Sequence, residues 1–584
     1  MVKLMNNQYI IEKTKDNYDI IKVYKDNKWI YIGSKYNMKN EIEKFMNKVR
    51  EETNEKTIFL IFGFASGDHI ETLSKCYENA IIRIFEPNEE IYEYAIQREC
   101  IKNNSNIIVQ KYDKNTIDNK SCNLDFMDEF NLNRIHIIPF CNYDKIYDFE
   151  YLCLLNMIKS KCVDARINRN TKLGFSKRWF TALNKNLPYI VNSVLLDKYR
   201  DSYKNKPAII ISAGPSLDKN VDLLKGIEEE FFLITGGRPL KGLVEKKISP
   251  GLVVALDSGN INYELMKGSI EETNFPLLFF EVTNEKIVEN HNGYKIFSTY
   301  SPFIINALEN KINVLETFGS VAHSSTSAAI LLGCNPIIFI GQDFAYTNDR
   351  AHSAYLEEKH KDNKFEDVKN QNDIYVESID GSQVRTSRVL NSYRIGMEKI
   401  IERNPQIRFI NATEGGARIH GTEEMTLKEV IDIYRNNTIE KFEILKPNIK
   451  FKETIVNKLE ETIECLKIIK TKCNKADKYV KVLECGINKN AINQAINELD
   501  KIDLFIKDEI IKFSIVESLL YPIVYSILSD NSLSKVHEKK EKRQIIVEQS
   551  KRLYTYLRDT IDINLEEIEK TLAKIQEGIK DYVK

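Results

Sequence analysis

The residues best suited to chemistry lie at 212–218, Ser-Ala-Gly-Pro-Ser-Leu-Asp. They follow the apolar run AIII, which reads as a core strand, and lead into Val221 and Leu224 at helical spacing. A helix start offers free backbone N–H groups and the positive end of a dipole, so such a turn can hold a phosphate. The turn lacks Gly-x-Gly-x-x-Gly, and no Gly-x-x-x-x-Gly-Lys-Ser/Thr occurs anywhere in the chain. One phosphate therefore suits it better than a di- or triphosphate. A tight turn that binds nothing is the alternative.

Two carboxylates follow apolar strand runs, Asp257 after LVVAL and Asp343, with Gly341 and Gln342, after PIIFI. Residues in that place project from the carboxyl ends of strands, where open α/β sheets bind ligands, although either Asp could merely cap a helix. Tyr346 and His352 lie just beyond, and Asn411, Thr413, Glu414, Gly415 and Gly416 follow the run IRFIN. His352 sits in the polar stretch TNDRAHS, and an imidazole titrates near neutral pH, so it is the expected general base, with Asp343 as its orienting or acid partner. His323 lies among small and hydroxyl residues and reads as a core histidine. The absence of Asp-x-Asp favours chemistry without a metal, and no metal site is expected.

The elements that must position these groups alternate between strand and helix. AIIIS, FFLIT, LVVAL, PLLFF, PIIFI and IRFIN mark a parallel α/β region over about 200–435. An earlier βαβ unit joins TIFLIF, Gly63 to Gly67 and AIIRIFEPN, with Glu86 placed where a nucleotide-binding unit puts a ribose-binding acid. A scaffold without ligand is the preferred reading of that single glycine turn. Beyond Pro447, apolar residues step by three or four with Lys/Glu outer faces, which predicts amphipathic helices. Thr317–Gln342 carries no Asp, Glu, Lys or Arg, but its hydroxyl residues, Gly333 and Pro336 divide it into a buried helix and a strand rather than a membrane span.

Composition agrees with a large folded protein. The 584 residues suggest three or four domains, and 42% hydrophobic content excludes disorder as the main state. A net charge of −1 gives no global attraction to nucleic acid or an anionic membrane. Charges in the first twenty residues leave no signal peptide, and ten cysteines without Cys-x-x-Cys fit reduced thiols, so a cytoplasmic location is expected.

SAGPSLD, FFLIT, SPGLVVALDSG, FGSVAHSSTSAAILLGCNPIIFIGQDFAYT and NATEGGARIHG together resemble the motility accessory factor (Maf) flagellin glycosyltransferases. Their central domain is similar to bacterial sialyltransferases that use CMP-sialic acid. The resemblance implies a Rossmann-like N-terminal domain over 1–170, a central sialyltransferase-like α/β domain over 171–440 and an α-helical C-terminal domain over 441–584. It implies transfer of a nonulosonic acid, pseudaminic, legionaminic or related, from a CMP-activated donor to flagellin Ser/Thr hydroxyls, with no cofactor beyond the donor.

By the same resemblance, Gly214, Pro215 and Ser216 line the nucleotide phosphate and Asp257 lies near the ribose or sugar. Gly319 and Ser320 form a second turn facing cytidine and carboxylate. Gly341, Gln342, Tyr346, Asn411, Thr413, Glu414, Gly415 and Gly416 complete the substrate side. The chain departs from the family at Pro250-Gly251, where Pro-Asp is usual. Two other classes share features: the archaeal 6-hydroxymethyl-dihydropterin pyrophosphokinases, which would use ATP and Mg²⁺ at Asp257 and Asp343, and a non-catalytic flagellin-binding assembly factor. A methyltransferase role for the N-terminal unit is a weaker fourth reading.

Overall fold

The computed structural model describes residues 9–51, 57–78, 80–112, 124, 126–353, 373–486, 488–512, 514–528 and 538–583. The chain divides into two compact units, one of residues 1–174 and 521–553, the other of 175–520 and 554–584.

The first unit contains a three-stranded antiparallel meander, Tyr9–Lys13, Asp19–Lys25 and Lys28–Tyr31, and a four-stranded parallel sheet. In that sheet the order is Ile107–Lys111, Ile81–Glu86, Ile58–Phe62, Ile135–Pro139, the Rossmann-like arrangement expected from the βαβ run. Strand Ile58–Phe62 is buried throughout, as its unbroken apolar sequence requires.

The glycine turn after that strand is filled from within. A Cβ on Gly63 would lie 2.2 Å from the Tyr143 ring. The Tyr143 hydroxyl accepts from the Ala65 N–H at 3.0 Å and donates to Glu86 Oε2 at 2.8 Å. Glu86 also accepts from the N–H groups of Phe64 (2.8 Å) and Asn88 (2.9 Å) and is fully buried. The acid that could have met a ribose instead ties its own turn together, and Asp68 and Glu71 place negative charge on the helix start beside it. The ligand-free reading of this unit is the one its geometry supports.

The second unit is built on a nine-stranded sheet whose paired strands all run parallel. Its order is Glu423–Glu424, Phe409–Asn411, Ile337–Ile340, Ala208–Ile211, Phe232–Thr235, Leu252–Ala255, Leu277–Phe279, Lys295–Phe297 and Val194–Leu195. Alternate residues supply two cores. Ala208 and Ile210 pack with Ala328, Leu332, Met397 and Ile400, whereas Ile209 and Ile211 pack with Leu217, Leu224, Leu243 and Val430. The central strands are thus buried on both faces, which explains their apolar runs without alternation.

Sequence order runs outward from Ala208–Ile211 in one direction as far as Lys295–Phe297, while Ile337–Ile340 pairs on its other side. The reversal makes a crevice beyond the carboxyl ends of these two strands. The stretch that could have passed for a membrane span is helix Val321–Leu331 followed by strand Ile337–Ile340. Among the described residues no helix is long and apolar enough to cross a membrane.

The helices Ile449–Cys485 and Lys539–Val583 carry the predicted three-four periodicity, with helices Lys489–Lys512 and Ser514–Leu528 between them in sequence. The first begins against the sheet unit: Phe451 stacks on Phe297, 5.7 Å between ring centroids, and the Lys452 ammonium donates to Asn192 Oδ1 at 3.1 Å.

Candidate functional site

A cavity of about 370 Å³ opens at the switch point. It is lined by Gly214, Asp257, Gly319, Ser320, Gly341, Gln342, Asp343 and His352 of the sequence-derived candidates. Pro215, Ser216, Tyr346, Asn411, Thr413, Glu414, Gly415 and Gly416 do not line it.

Those absent from the lining have other work. Ser216 is 1% exposed, and its hydroxyl donates to Asp343 Oδ1 at 2.6 Å. The helix it opens is one turn, Leu217–Asn220, continued as a 3₁₀ turn over Val221–Leu224, so its dipole is short. Tyr346 lies under the Arg385 guanidinium, 4.2 Å from ring centroid to Cζ. Asn411 and Thr413 are buried, the Thr413 N–H donating to Asn411 Oδ1 at 3.2 Å. Glu414 Oε1 accepts from the Leu427 N–H at 3.3 Å at the start of helix Leu427–Tyr434. Gly416 has φ 84°, and a Cβ there would lie 2.4 Å from the Asp343 carbonyl oxygen; on Gly415 it would meet Ser216 Cβ at 3.3 Å. This glycine pair buttresses the Asp343 loop from behind.

Asp343 is itself a structural hub at the cavity wall. Its second carboxylate oxygen accepts from Thr347 Oγ1 at 2.6 Å, so both oxygens are engaged. Burial raises its pKa, and the hydrogen bonds from Ser216 and Thr347 oppose that shift. Gln342 Oε1 accepts from the Ser212 hydroxyl at 2.5 Å, a second tie between the two central strand ends.

Asp257 differs. It keeps solvent contact through the cavity while protein packs closely around it, and that desolvation raises its pKa. Among the described residues no group hydrogen-bonds its carboxylate. A cavity-facing acid with a raised pKa and no partner is suited to accept a proton. His352 also lines the cavity, next to Ser353, whose N–H donates to the Ala213 carbonyl at 3.0 Å. His323 is fully buried, its Nε2–H donating to the Tyr393 carbonyl at 2.8 Å, and desolvation lowers its pKa.

Sequence reading passed over Gly236, Gly237, Arg238, Asn262 and Tyr393, all of which line the cavity. The signal was present, since Gly-Gly-Arg-Pro after FFLIT repeats the strand–glycine–proline logic of SAGPS. Helix Gly237–Glu245 starts there with no acid in its first turn, and a Cβ on Gly237 would lie 2.8 Å from Met266 Sδ. Helix Val321–Leu331 also starts at the cavity, capped by Ser320, whose hydroxyl accepts from the Ala322 N–H at 3.3 Å. Two helix starts and Arg238 therefore bring positive charge to the cavity that also holds Asp257 and Asp343.

Gly251, the departure from the family pattern, lies at the other end of strand Leu252–Ala255 from Asp257. A Cβ there would meet the Phe232 ring at 2.7 Å. The glycine answers to packing under the sheet and is not a cavity residue.

A family model for 6-hydroxymethylpterin diphosphokinase MptE-like proteins matches residues 181–349, the span that holds most of this cavity. The solved structure of MAf glycosyltransferase from Magnetospirillum magneticum AMB-1 is similar over 99% of this chain and 96% of that one, with a TM-score of 0.61 at 13% identity. The chain has the Maf glycosyltransferase fold. No curated protein matches it. The Maf-type likeness extends over both compact units and the helices beyond Pro447, so the α/β and helical organisation read from the sequence is that of a known architecture.

Proposed function

We propose that the chain is a glycosyltransferase that moves a nonulosonic acid from a CMP-activated donor to Ser/Thr hydroxyls of flagellin without a metal ion. The observation that carries this reading is the switch-point cavity, which brings helix starts and Arg238 together with Asp257, whose carboxylate no described residue hydrogen-bonds, in a chain with the Maf fold. The helix starts and Arg238 suit the one phosphate and the carboxylate of such a donor. As the bond to CMP breaks, positive charge grows on the sugar, and an acceptor hydroxyl attacks while Asp257 takes its proton. His352, which also lines the cavity, is the second group able to do so.

The test is co-expression with a flagellin in a host that makes CMP-nonulosonate, followed by intact-mass measurement. A mass gain of one nonulosonate per site supports the reading; unmodified flagellin together with a folded enzyme overturns it.

The MptE-like match favours a second reading, transfer of diphosphate from ATP with Mg²⁺. Against it, both oxygens of Asp343 already hold Ser216 and Thr347. AMP release from ATP with a hydroxymethylpterin acceptor would establish this alternative.

A further inference from the structure

The loop that carries Asp257 is clamped from outside the cavity. Asn284 is fully buried, its N–H donates to the Asp257 carbonyl at 3.0 Å, and its Nδ2 donates to the Ser258 carbonyl at 3.0 Å and to Asn260 Oδ1 at 3.3 Å. Arg178 reaches the same Ser258 carbonyl through Nε at 2.9 Å. Its two terminal nitrogens meet both Glu285 oxygens, at 3.1 and 2.6 Å. Glu285 is the first residue of helix Glu285–Asn290, directly after the Asn284 cap, with Lys185 3.6 Å away. The guanidinium thus spans two elements, a helix start and a loop, with every contact in a fixed planar fork.

Upstream, Thr283 continues the clamp. Its hydroxyl donates to the Ala255 carbonyl at 2.7 Å, and Asn186 Nδ2 donates to the Thr283 carbonyl at 2.7 Å. None of Arg178, Asn186, Thr283 or Asn284 lines the cavity. Arg238, Asp343, His352 and Tyr393 line the cavity together with Asp257, and both Tyr300 and Tyr393 lie within electrostatic reach of Asp257.

We infer that Arg178 and Asn284 are positioning residues that hold the Asp257 loop, and with it the cavity-facing carboxylate, in one place. Among the described residues no side chain hydrogen-bonds the carboxylate, so the hold on it comes through its backbone. This inference rests on the reading of Asp257 as proton acceptor only for its catalytic consequence; the clamp itself is a matter of geometry.

The experiment compares wild type with Arg178→Gln, Arg178→Lys and Asn284→Ser by carbodiimide labelling of Asp257 at fixed pH, followed by peptide mass spectrometry, with Asp343 as internal reference. Arg178→Gln should raise the Asp257 labelling rate about tenfold, the scale on which lost supporting hydrogen bonds loosen a site. Lysine cannot span the carbonyl and both carboxylate oxygens, so it should restore the rate only in part. Asn284→Ser, which keeps Arg178, should raise it as well and serves if Arg178→Gln does not fold. Wherever transfer is measurable, kcat should fall with donor KM within a few fold. Asp257 labelling unchanged in the folded variants overturns the clamp, as does a fall in melting temperature without change in labelling. Failure of wild type to transfer sugar would instead overturn the proposed reaction and leave the labelling result standing.

Discussion

A Cβ on Gly214 would stand 2.1 Å from Oδ1 of Asp343. The turn after Ala208–Ile211 and the loop after Ile337–Ile340 therefore meet without room for a methyl group, and the Gly214 N–H donates to the Gly341 carbonyl at 2.8 Å across the same contact. Gly214→Ala should cost about 1–3 kcal/mol, the range for overpacking a close-packed contact, and should displace Asp343 from Ser216. Urea unfolding checks the first effect. Unchanged stability would mean that the two loops are not held together as described.

Ser216→Ala removes the hydroxyl that Asp343 binds, leaving a buried acceptor short of a donor at about 1–3 kcal/mol. Because Ser216 lies behind the turn, CMP affinity should stay within a few fold of wild type. A folded Ser216→Ala protein that no longer binds CMP, by calorimetry, would return the serine to the phosphate site implied by the resemblance.

The difference between Gly214 and Ser216 illustrates what the sequence could convey. Six apolar runs were legible as strands because a sheet covered on both faces writes itself as continuous Ile, Val, Leu and Phe; KIF at 295–297 and VL at 194–195 were too short to stand out. Carboxyl ends of strands were legible too, which brought Asp257, Gly341 and Asp343 to one cavity. Sequence spacing does not tell which side of a turn a side chain faces, so Ser216, Glu414 and Gly416 read as ligand residues although they hold Asp343 or a helix start. Likewise Glu86 had ribose-like spacing, but only the fold brings Tyr143, 57 residues later, into the place of a ligand. The change of period after Pro447 reports what the segment forms, not what it packs on, as Phe451 against Phe297 makes plain.

Glu86 should leave a signature in stability. Burial raises its pKa from 4.5 to about 7, against the lowering effect of the Phe64, Asn88 and Tyr143 hydrogen bonds. The folded chain thus keeps this proton where the unfolded chain has lost it, so stability contributed by the protonated form falls as pH rises from about 4.5 to about 7. Buried Glu281 has the same sign and range, through desolvation. Glu86→Gln should flatten the Glu86 share of that slope, on the order of 2–3 kcal/mol across the window. Denaturant unfolding at pH 4.5 and 7.5 measures it; an identical slope in wild type and variant contradicts the burial described.

CMP should raise the melting temperature in the presence of a chelator, since helix starts and Arg238 supply positive charge at the cavity and a ligand that binds only the folded state stabilises it by mass action. ATP with Mg²⁺ should do less. Stabilisation by ATP that vanishes on chelation, with none from CMP, would move the assignment to the diphosphokinase reading.

The choice between Asp257 and His352 as proton acceptor gives the most exposed prediction. Serine and threonine hydroxyls are barely ionised at neutral pH, so a positioned base must take the proton as attack proceeds, and its loss usually costs 10²–10⁴-fold in rate. Asp257 lines the cavity with its pKa raised by desolvation, and among the described residues none hydrogen-bonds its carboxylate, which leaves its lone pairs for an acceptor hydroxyl. Asp257→Asn should therefore keep the fold and CMP affinity while transfer falls by roughly 10² or more, and wild-type kcat should decline toward acid pH as this carboxylate protonates above the usual range for aspartate. His352→Ala should lower transfer far less. If His352→Ala loses about 10² in transfer with CMP still bound, and Asp257→Asn stays near wild type, the imidazole is the base and Asp257 serves the sugar instead.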